Sequence, residues 1–158
     1  MDDRTKGCHL IVTGYVGDWA VPRLADKDFL AGLLVDLVRT VGMEILLPPQ
    51  MVEVPVDPAK VGSPDDDGGV TGVAVLGTSH VSVHTWPLRR AVSFDLYSCH
   101  DFDPEKVFGV LLSKLGLADA DVVDLDRTFP PKGGRFRIRV VSKDEVTEGW
   151  PSGSWRRS

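Results

Sequence analysis

Three consecutive segments with alternating side chains occupy the middle of the chain, at residues 70–76, 80–86 and 91–98. Short connections rich in turn-forming residues separate them, which favours antiparallel strands. If Trp86 pairs with Ala91, the two-residue period of a strand places polar and apolar side chains on opposite faces. The polar face would carry His80, Ser82, His84, Ser93, Asp95, Tyr97 and Cys99. We therefore predict that one face packs under helices and that the other carries the chemistry.

Two amphipathic segments predict the helices that cover this sheet. Residues 26–41 repeat apolar side chains at helical spacing before Gly42, and Asp103-Pro104-Glu105 begins a second apolar stripe that ends at Gly116. Further strands are predicted at residues 9–16, 43–47, 51–54, 121–129 and 136–141, with a break at Pro48-Pro49. We expect an α+β fold, a two-layer αβ sandwich with helices on one face of a mainly antiparallel sheet. Residues 1–147 would form one domain and residues 148–158 a flexible tail.

Composition and charge exclude several classes of partner. The net charge is −5 and no basic patch is interleaved with aromatic side chains, so we expect no nucleic acid partner. No apolar run reaches the roughly 20 residues that a membrane span needs, and the N-terminus has no signal-peptide core. We therefore expect no membrane association and a cytoplasmic location. With two cysteines, Cys8 and Cys99, we expect free thiols and not a disulfide framework.

A hydroxyl, two imidazoles and a thiol lie close together in the sequence, at Ser79, His80, His84 and Cys99. These are the groups from which nucleophilic and proton-transfer sites are built. No Gly-x-Ser-x-Gly elbow surrounds Ser79, so a hydrolase triad is not supported. A shared zinc is excluded as well, because His80 and His84 would lie about 13 Å apart along one strand. His9 is expected to be structural, His80 and Ser82 to be structural or supporting, and His100 to lie in a surface loop.

Several motifs in the same order give the chain a family resemblance. They are Gly7-Cys8-His9-Leu10-Ile11-Val12, Gly69-Val70-Thr71-Gly72-Val73, the run Thr-Ser-His-Val-Ser-Val-His-Thr-Trp-Pro at 78–87, Asp-Leu-Tyr-Ser-Cys at 95–99 and Asp-Phe-Asp-Pro at 101–104. Together they resemble the small bacterial and archaeal S-adenosylmethionine decarboxylases, over residues 7–128. Members of this family cleave themselves and work with a pyruvoyl group.

The resemblance implies self-cleavage between Thr78 and Ser79. The Ser79 hydroxyl would attack the Thr78 carbonyl, and elimination would cut the chain and leave a pyruvoyl group at residue 79. His84 matches the family position that accepts the proton during processing, and the Thr71 hydroxyl matches the assisting position, where the family commonly has serine.

The resemblance also implies the catalytic cycle. The pyruvoyl ketone would form a Schiff base with the amine of an amino-acid-type substrate and accept the electrons released as CO₂ leaves, in place of pyridoxal phosphate and without a metal. Cys99 matches the family's proton donor. The product would supply aminopropyl groups for spermidine and polyamine synthesis. We expect a homodimer of cleaved protomers, since the polar sheet face is open on one chain.

Three positions depart from the family pattern. Thr78 stands where the family usually has glutamate, Leu88 stands where it has an acid that holds the ribose hydroxyls, and the loop before Gly69 lacks the aromatic that stacks on adenine. Trp86, Arg89 and Arg90 are the candidate substrate-binding residues. Three hypotheses therefore stay open: an S-adenosylmethionine decarboxylase, a pyruvoyl decarboxylase of ornithine or arginine, and a non-processing paralogue that binds a partner or ligand.

Overall fold

A six-stranded sheet forms the frame of the protein, whose computed structural model describes residues 4–65, 68–130 and 133. The strands are β1 (Cys8–Val16), β2 (Ile45–Val54), β3 (Gly69–Leu76), β4 (Ser79–Trp86), β5 (Ala91–Ser98) and β6 (Leu117–Asp126). Every neighbouring pair is antiparallel, in the order β2-β3-β4-β5-β1-β6. The predicted strand at residues 136–141 and the predicted tail at 148–158 lie outside the described residues.

The register predicted for β4 and β5 is confirmed. Trp86 pairs with Ala91 across the connection, and His84 and His80 pair with Ser93 and Tyr97. Burial alternates strictly along both strands, so the two histidines, Ser82, Ser93, Asp95 and Tyr97 share the open face. The apolar side chains share the covered face with three buried hydroxyl groups, those of Ser79, Thr85 and Ser98.

The helices cover the apolar face. Helix α1 (Lys27–Thr40) begins where the Asp26 carboxylate accepts a hydrogen bond from the Phe29 N–H. Helix α2 (Pro104–Val110) begins with an equivalent Asp103 cap and continues as a π-helical turn, Leu111–Leu115. Gly116 then takes a left-handed conformation, with a φ of 77°. The helices and the buried strand residues form one hydrophobic core, which confirms the predicted αβ sandwich.

Two local predictions were wrong, and one further element was not predicted. The Pro48-Pro49 pair does not divide β2, because β2 is an edge strand whose register shifts around these prolines, and an edge can accommodate the missing N–H groups. The last described strand runs over Leu117–Asp126 instead of residues 121–129, since pairing with β1 extends it backwards to Leu117. A 3-10 helix, Asp18–Ala25, lies where no element was predicted.

The opposite face of the sheet carries polar groups together with exposed apolar side chains. By the strand register, the exposed apolar residues on this open face are Tyr15, Leu47, Val52, Val73 and Val75. No helix in the described part of the chain is long and apolar enough to cross a membrane.

Candidate active site

The bond before Ser79 lies in a strained turn. Leu76 pairs with Ser79, so Gly77 and Thr78 form a two-residue loop between β3 and β4. Thr78 adopts a φ of 54°, in the left-handed region. A β-branched side chain is rarely found there, and such a residue stores about 1–3 kcal/mol. The scissile bond predicted from the sequence therefore follows the one strained threonine of the described chain.

Ser79 and Cys99 meet at the end of this turn. The Ser79 side chain is buried, with 7% exposure. Its Oγ accepts a hydrogen bond from the Cys99 backbone N–H at 3.1 Å. The Thr78 hydroxyl oxygen lies 2.8 Å from the Cys99 sulfur. The fold thus brings together three predicted residues, Thr78, Ser79 and Cys99, which we call the cleavage half-site.

The Cys99 thiol has an environment that favours its ionised form. The Thr78 hydroxyl is the main cause that lowers the pKa of Cys99, the Ser79 hydroxyl adds to the effect, and burial opposes it. The sulfur also lies 3.6 Å from the Gly77 carbonyl oxygen and 3.0 Å from the His100 Nδ1. The contact with His100 was missed by sequence reasoning, which placed this histidine only in a surface loop. The signal available was its position directly after Cys99.

Thr71 and His84 form a second polar pair. They lie directly opposite each other on β3 and β4, and the Thr71 hydroxyl lies 3.1 Å from the His84 Nδ1. Trp86 lies beside them, with its ring centroid 6.5 Å from that of His84. We call Thr71 and His84 the histidine half-site.

The two half-sites are far apart within one chain. Ser79 and His84 lie five residues apart on the same regular strand. At about 3.3 Å per residue the separation is about 16 Å, several times the reach of a hydrogen bond. The structure therefore does not bring His84 or Thr71 to the Ser79 of their own chain.

Between the half-sites lies a cluster of rings around Tyr97. His80 stacks on Tyr97 with centroids 5.8 Å apart, and the guanidinium of Arg127 lies 4.7 Å from the Tyr97 ring centroid. Arg127 contacts the His9 Nδ1 at 3.2 Å, and the His9 Nε2 lies 2.8 Å from Asp95. Because a guanidinium only donates, Nδ1 accepts and Nε2 donates to the carboxylate. Burial is the main cause that lowers the pKa of His80, and His9 adds to it.

The two candidate arginines lie at the far end of β4 from Ser79, in the connection to β5. Arg89 donates to the Ser63 carbonyl, and Arg90 pairs with Asp18. Both guanidinium groups therefore have partners within the chain. Leu88, which lies between the end of β4 and these arginines, is 55% exposed. Among the described residues, no group of three or more His, Cys, Asp or Glu side chains is arranged to hold a metal ion.

Comparison with known proteins supports the assignment that the motifs suggested. Residues 9–128 match the family model described as S-adenosylmethionine decarboxylase. The S-adenosylmethionine decarboxylase proenzyme of Pyrococcus furiosus is 30% identical over 113 residues, which cover 65% of this chain and 81% of the relative. The arginine decarboxylase proenzyme of Aeropyrum pernix is 30% identical over 116 residues, covering 70% of this chain and 78% of the relative.

The fold has a counterpart among solved structures. The crystal structure of the adenosylmethionine decarboxylase from Aquifex aeolicus aligns with a TM-score of 0.62 at 21% sequence identity, over 84% of this chain and 99% of that one. At this identity the likeness concerns the fold alone. The family model and the P. furiosus relative confirm the resemblance predicted from the motifs, and with it a decarboxylase: the chain belongs to the S-adenosylmethionine decarboxylase family.

Proposed function

We propose that this chain is a precursor that cleaves its own Thr78–Ser79 bond and becomes a pyruvoyl-dependent decarboxylase. The observation that carries the proposal is the turn itself. The Ser79 hydroxyl is buried and held by the Cys99 N–H, directly after a threonine in a strained conformation. Breaking the bond releases that strain, so the precursor is raised in energy relative to the cleaved chain.

The processing chemistry follows from these groups. The Ser79 oxygen attacks the Thr78 carbonyl carbon and displaces the backbone nitrogen, which converts the amide into an ester. Removal of the Ser79 α-hydrogen then eliminates the Thr78 carboxylate and leaves a dehydroalanine. Addition of water and loss of ammonia produce a pyruvoyl group at residue 79. A base must take the α-hydrogen, and a proton donor must stabilise the developing oxyanion.

His84 and Thr71 are the proposed base and hydroxyl, and a second copy of the chain must supply them. Their own Ser79 lies about 16 Å away along β4, whereas proton transfer needs contact within about 3 Å. His84 belongs to the open face and the Ser79 side chain to the covered one, so the histidine of a chain stacked on the open face would approach the backbone of residue 79, at the first position of β4, from the open side. We therefore propose a homodimer in which each cleavage half-site is completed by the partner's histidine half-site.

The sheet geometry fits such a dimer. A two-fold interface is self-complementary, so an axis that brings the Ser79 of each chain close to the His84 of the other passes near the middle of β4. Ser82 is the open-face residue nearest to that point. The exposed side chains of Val73 and Val75 lie on the neighbouring strand and would lose their exposure to water. This arrangement accounts for apolar side chains on a face that the helices leave uncovered.

After processing, Cys99 is the proposed proton donor. The bound pyruvoyl group supplies a ketone that captures the substrate amine and accepts the electrons released with CO₂. The position of residue 79 suits that group, because its buried surroundings would shield a ketone from water. The Cys99 thiol, at the same turn, would deliver the proton that replaces the carboxylate on the substrate carbon.

We propose S-adenosylmethionine as the substrate, with the decarboxylated product serving polyamine synthesis. A second candidate is arginine or ornithine. Leu88 favours this second candidate, because an exposed leucine cannot accept hydrogen bonds from a ribose. The A. pernix relative, named as an arginine decarboxylase proenzyme, is in agreement with it.

Two measurements test the function. Intact-mass analysis of purified protein should show two fragments, 1–78 and 79–158, while the Ser79→Ala variant stays full length. Release of CO₂ is then measured with S-adenosylmethionine, arginine and ornithine in parallel. Leu88→Glu is the matched variant, and it should favour S-adenosylmethionine over the two smaller substrates. A wild-type chain that remains intact after long incubation would instead support the non-processing binding protein.

A further inference from the structure

His100 is fixed beside the Cys99 sulfur. Its Nδ1 lies 3.0 Å from the sulfur, within hydrogen-bond distance. The backbone of His100 is held by Ser98, whose hydroxyl donates to the His100 carbonyl at 2.6 Å and accepts from its N–H at 2.9 Å. Ser98 is completely buried, so this anchor belongs to the core of the protein. The contact between imidazole and sulfur therefore rests on a buried support.

The sulfur and the imidazole differ in their access to water. Cys99 is partly buried, whereas His100 is exposed. The other groups at the sulfur are the Thr78 hydroxyl and the Gly77 carbonyl. Neither exchanges protons readily near neutral pH, whereas imidazoles do. Within the described part of the chain, His100 is the titratable side chain hydrogen-bonded to the sulfur and open to solvent.

Decarboxylation consumes one proton in every turnover. If Cys99 gives its S–H proton to the substrate carbon, a thiolate remains and must be protonated again before the next cycle. We propose that His100 returns this proton to Cys99. The inference rests on the proposed role of Cys99 as proton donor.

The proton balance closes with solvent as the source. The imidazolium of His100 transfers its Nδ1 proton to the thiolate and becomes neutral. Water then reprotonates the exposed ring. The sum over one cycle is one proton taken from solvent, one C–H bond formed on the product and one CO₂ released. No other co-reactant is needed.

Two variants at the same position separate proton transfer from support of the local structure. His100→Ala removes the ring, and His100→Asn keeps a side chain that can hydrogen-bond the sulfur but cannot exchange protons. Lys106→Ala, at an exposed position of α2, is the matched surface control. Each is measured as the processed protein, with CO₂ release from whichever of S-adenosylmethionine, arginine and ornithine the wild type uses.

We expect kcat to fall by about 10-fold or more in both His100 variants, with KM little changed, because proton return becomes limiting. Added free imidazole should restore part of the rate of His100→Ala and leave the wild type unchanged. A His100→Asn variant with wild-type kcat, or a His100→Ala variant within about twofold of wild type, would overturn the proposal. If the His100 variants keep wild-type kcat while Cys99→Ala abolishes turnover, the role of His100 is refuted and the role of Cys99 as proton donor stands. A wild type without CO₂ release would instead remove both.

If a His100 variant does not cleave itself, a second measurement tests the same contact. In the uncleaved Ser79→Ala background, alkylation of Cys99 by iodoacetamide reports how readily the thiol loses its proton. His100→Ala should slow this reaction near neutral pH, and His100→Asn should slow it equally. Unchanged alkylation rates in both variants would contradict proton exchange between the two side chains.

Discussion

The separation of the two half-sites makes a quantitative prediction about mixed dimers. His84→Ala removes the proposed base, and Ser79→Ala removes the nucleophile. Each variant alone should remain uncleaved. In a dimer of one copy of each, the His84→Ala chain keeps its own Ser79 and receives His84 from its partner. That chain should therefore cleave, while the Ser79→Ala chain should not.

The expected yield follows from random pairing. When equal amounts of the two variants are unfolded and refolded together, random pairing makes about half of all dimers mixed. About half of the His84→Ala chains should then be cut, which is about one quarter of all chains. The structural basis is the separation of about 16 Å within one chain, which side-chain motion does not close.

Intact-mass analysis is the assay, because the two variants differ in mass and the origin of each fragment is identified. Co-refolding each variant with itself is the control. Two outcomes would refute the reasoning. One is cleavage of His84→Ala refolded alone at the wild-type rate. The other is a mixed sample that forms dimers and yet contains no fragments.

The remaining predictions concern the turn and the core. In the uncleaved Ser79→Ala protein, alkylation of Cys99 should reach half its maximum below the pH typical of a free cysteine, because the Thr78 hydroxyl, the main cause that lowers the pKa of Cys99, is kept in this variant. Thr78→Val, which removes the main cause of that shift, should move the midpoint to higher pH, and an unmoved midpoint would exclude the hydroxyl as the cause. Thr78→Asn should stabilise the uncleaved protein by about 1 kcal/mol in urea unfolding, because asparagine tolerates the left-handed region. Thr85→Val should destabilise it by about 1–3 kcal/mol, since the buried hydroxyl that accepts from the Val70 N–H at 2.9 Å is lost.

The sequence predicted the sheet well where the local pattern was decisive. The alternation of β4 and β5, with turn residues between them, determined the pairing of Trp86 with Ala91. The cap at Asp26 and the apolar stripe behind it determined α1. In each case neighbouring residues alone carry the information, so no knowledge of distant contacts was needed.

Other features depended on contacts between distant segments. Edge pairing of β2 with β3 overrides the local effect of Pro48-Pro49, and pairing with β1 extends β6. The contact between His100 and Cys99 depends on the hydrogen bonds of Ser98 at the end of β5. Such outcomes are set by tertiary context, which propensity does not describe.

The candidate site shows the same division. Ser79 and His84 appear as one site in the sequence because few residues separate them. A regular strand converts that short spacing into a distance of about 16 Å. Cys99, twenty residues after Ser79, is by contrast brought into hydrogen-bond contact with it by the pairing of β4 and β5.

The central claim is that the chain breaks its own bond before Ser79. The most direct measurement is the mass of the C-terminal fragment of purified protein after prolonged incubation. We predict a fragment 79–158 that is lighter by one ammonia than the same fragment with an amino-terminal serine. Sodium borohydride, added while the enzyme turns over its substrate, should reduce the Schiff base and leave the substrate amine covalently attached to the same fragment. A single full-length species that remains uncleaved under the same incubation, as Ser79→Ala should, would contradict the account.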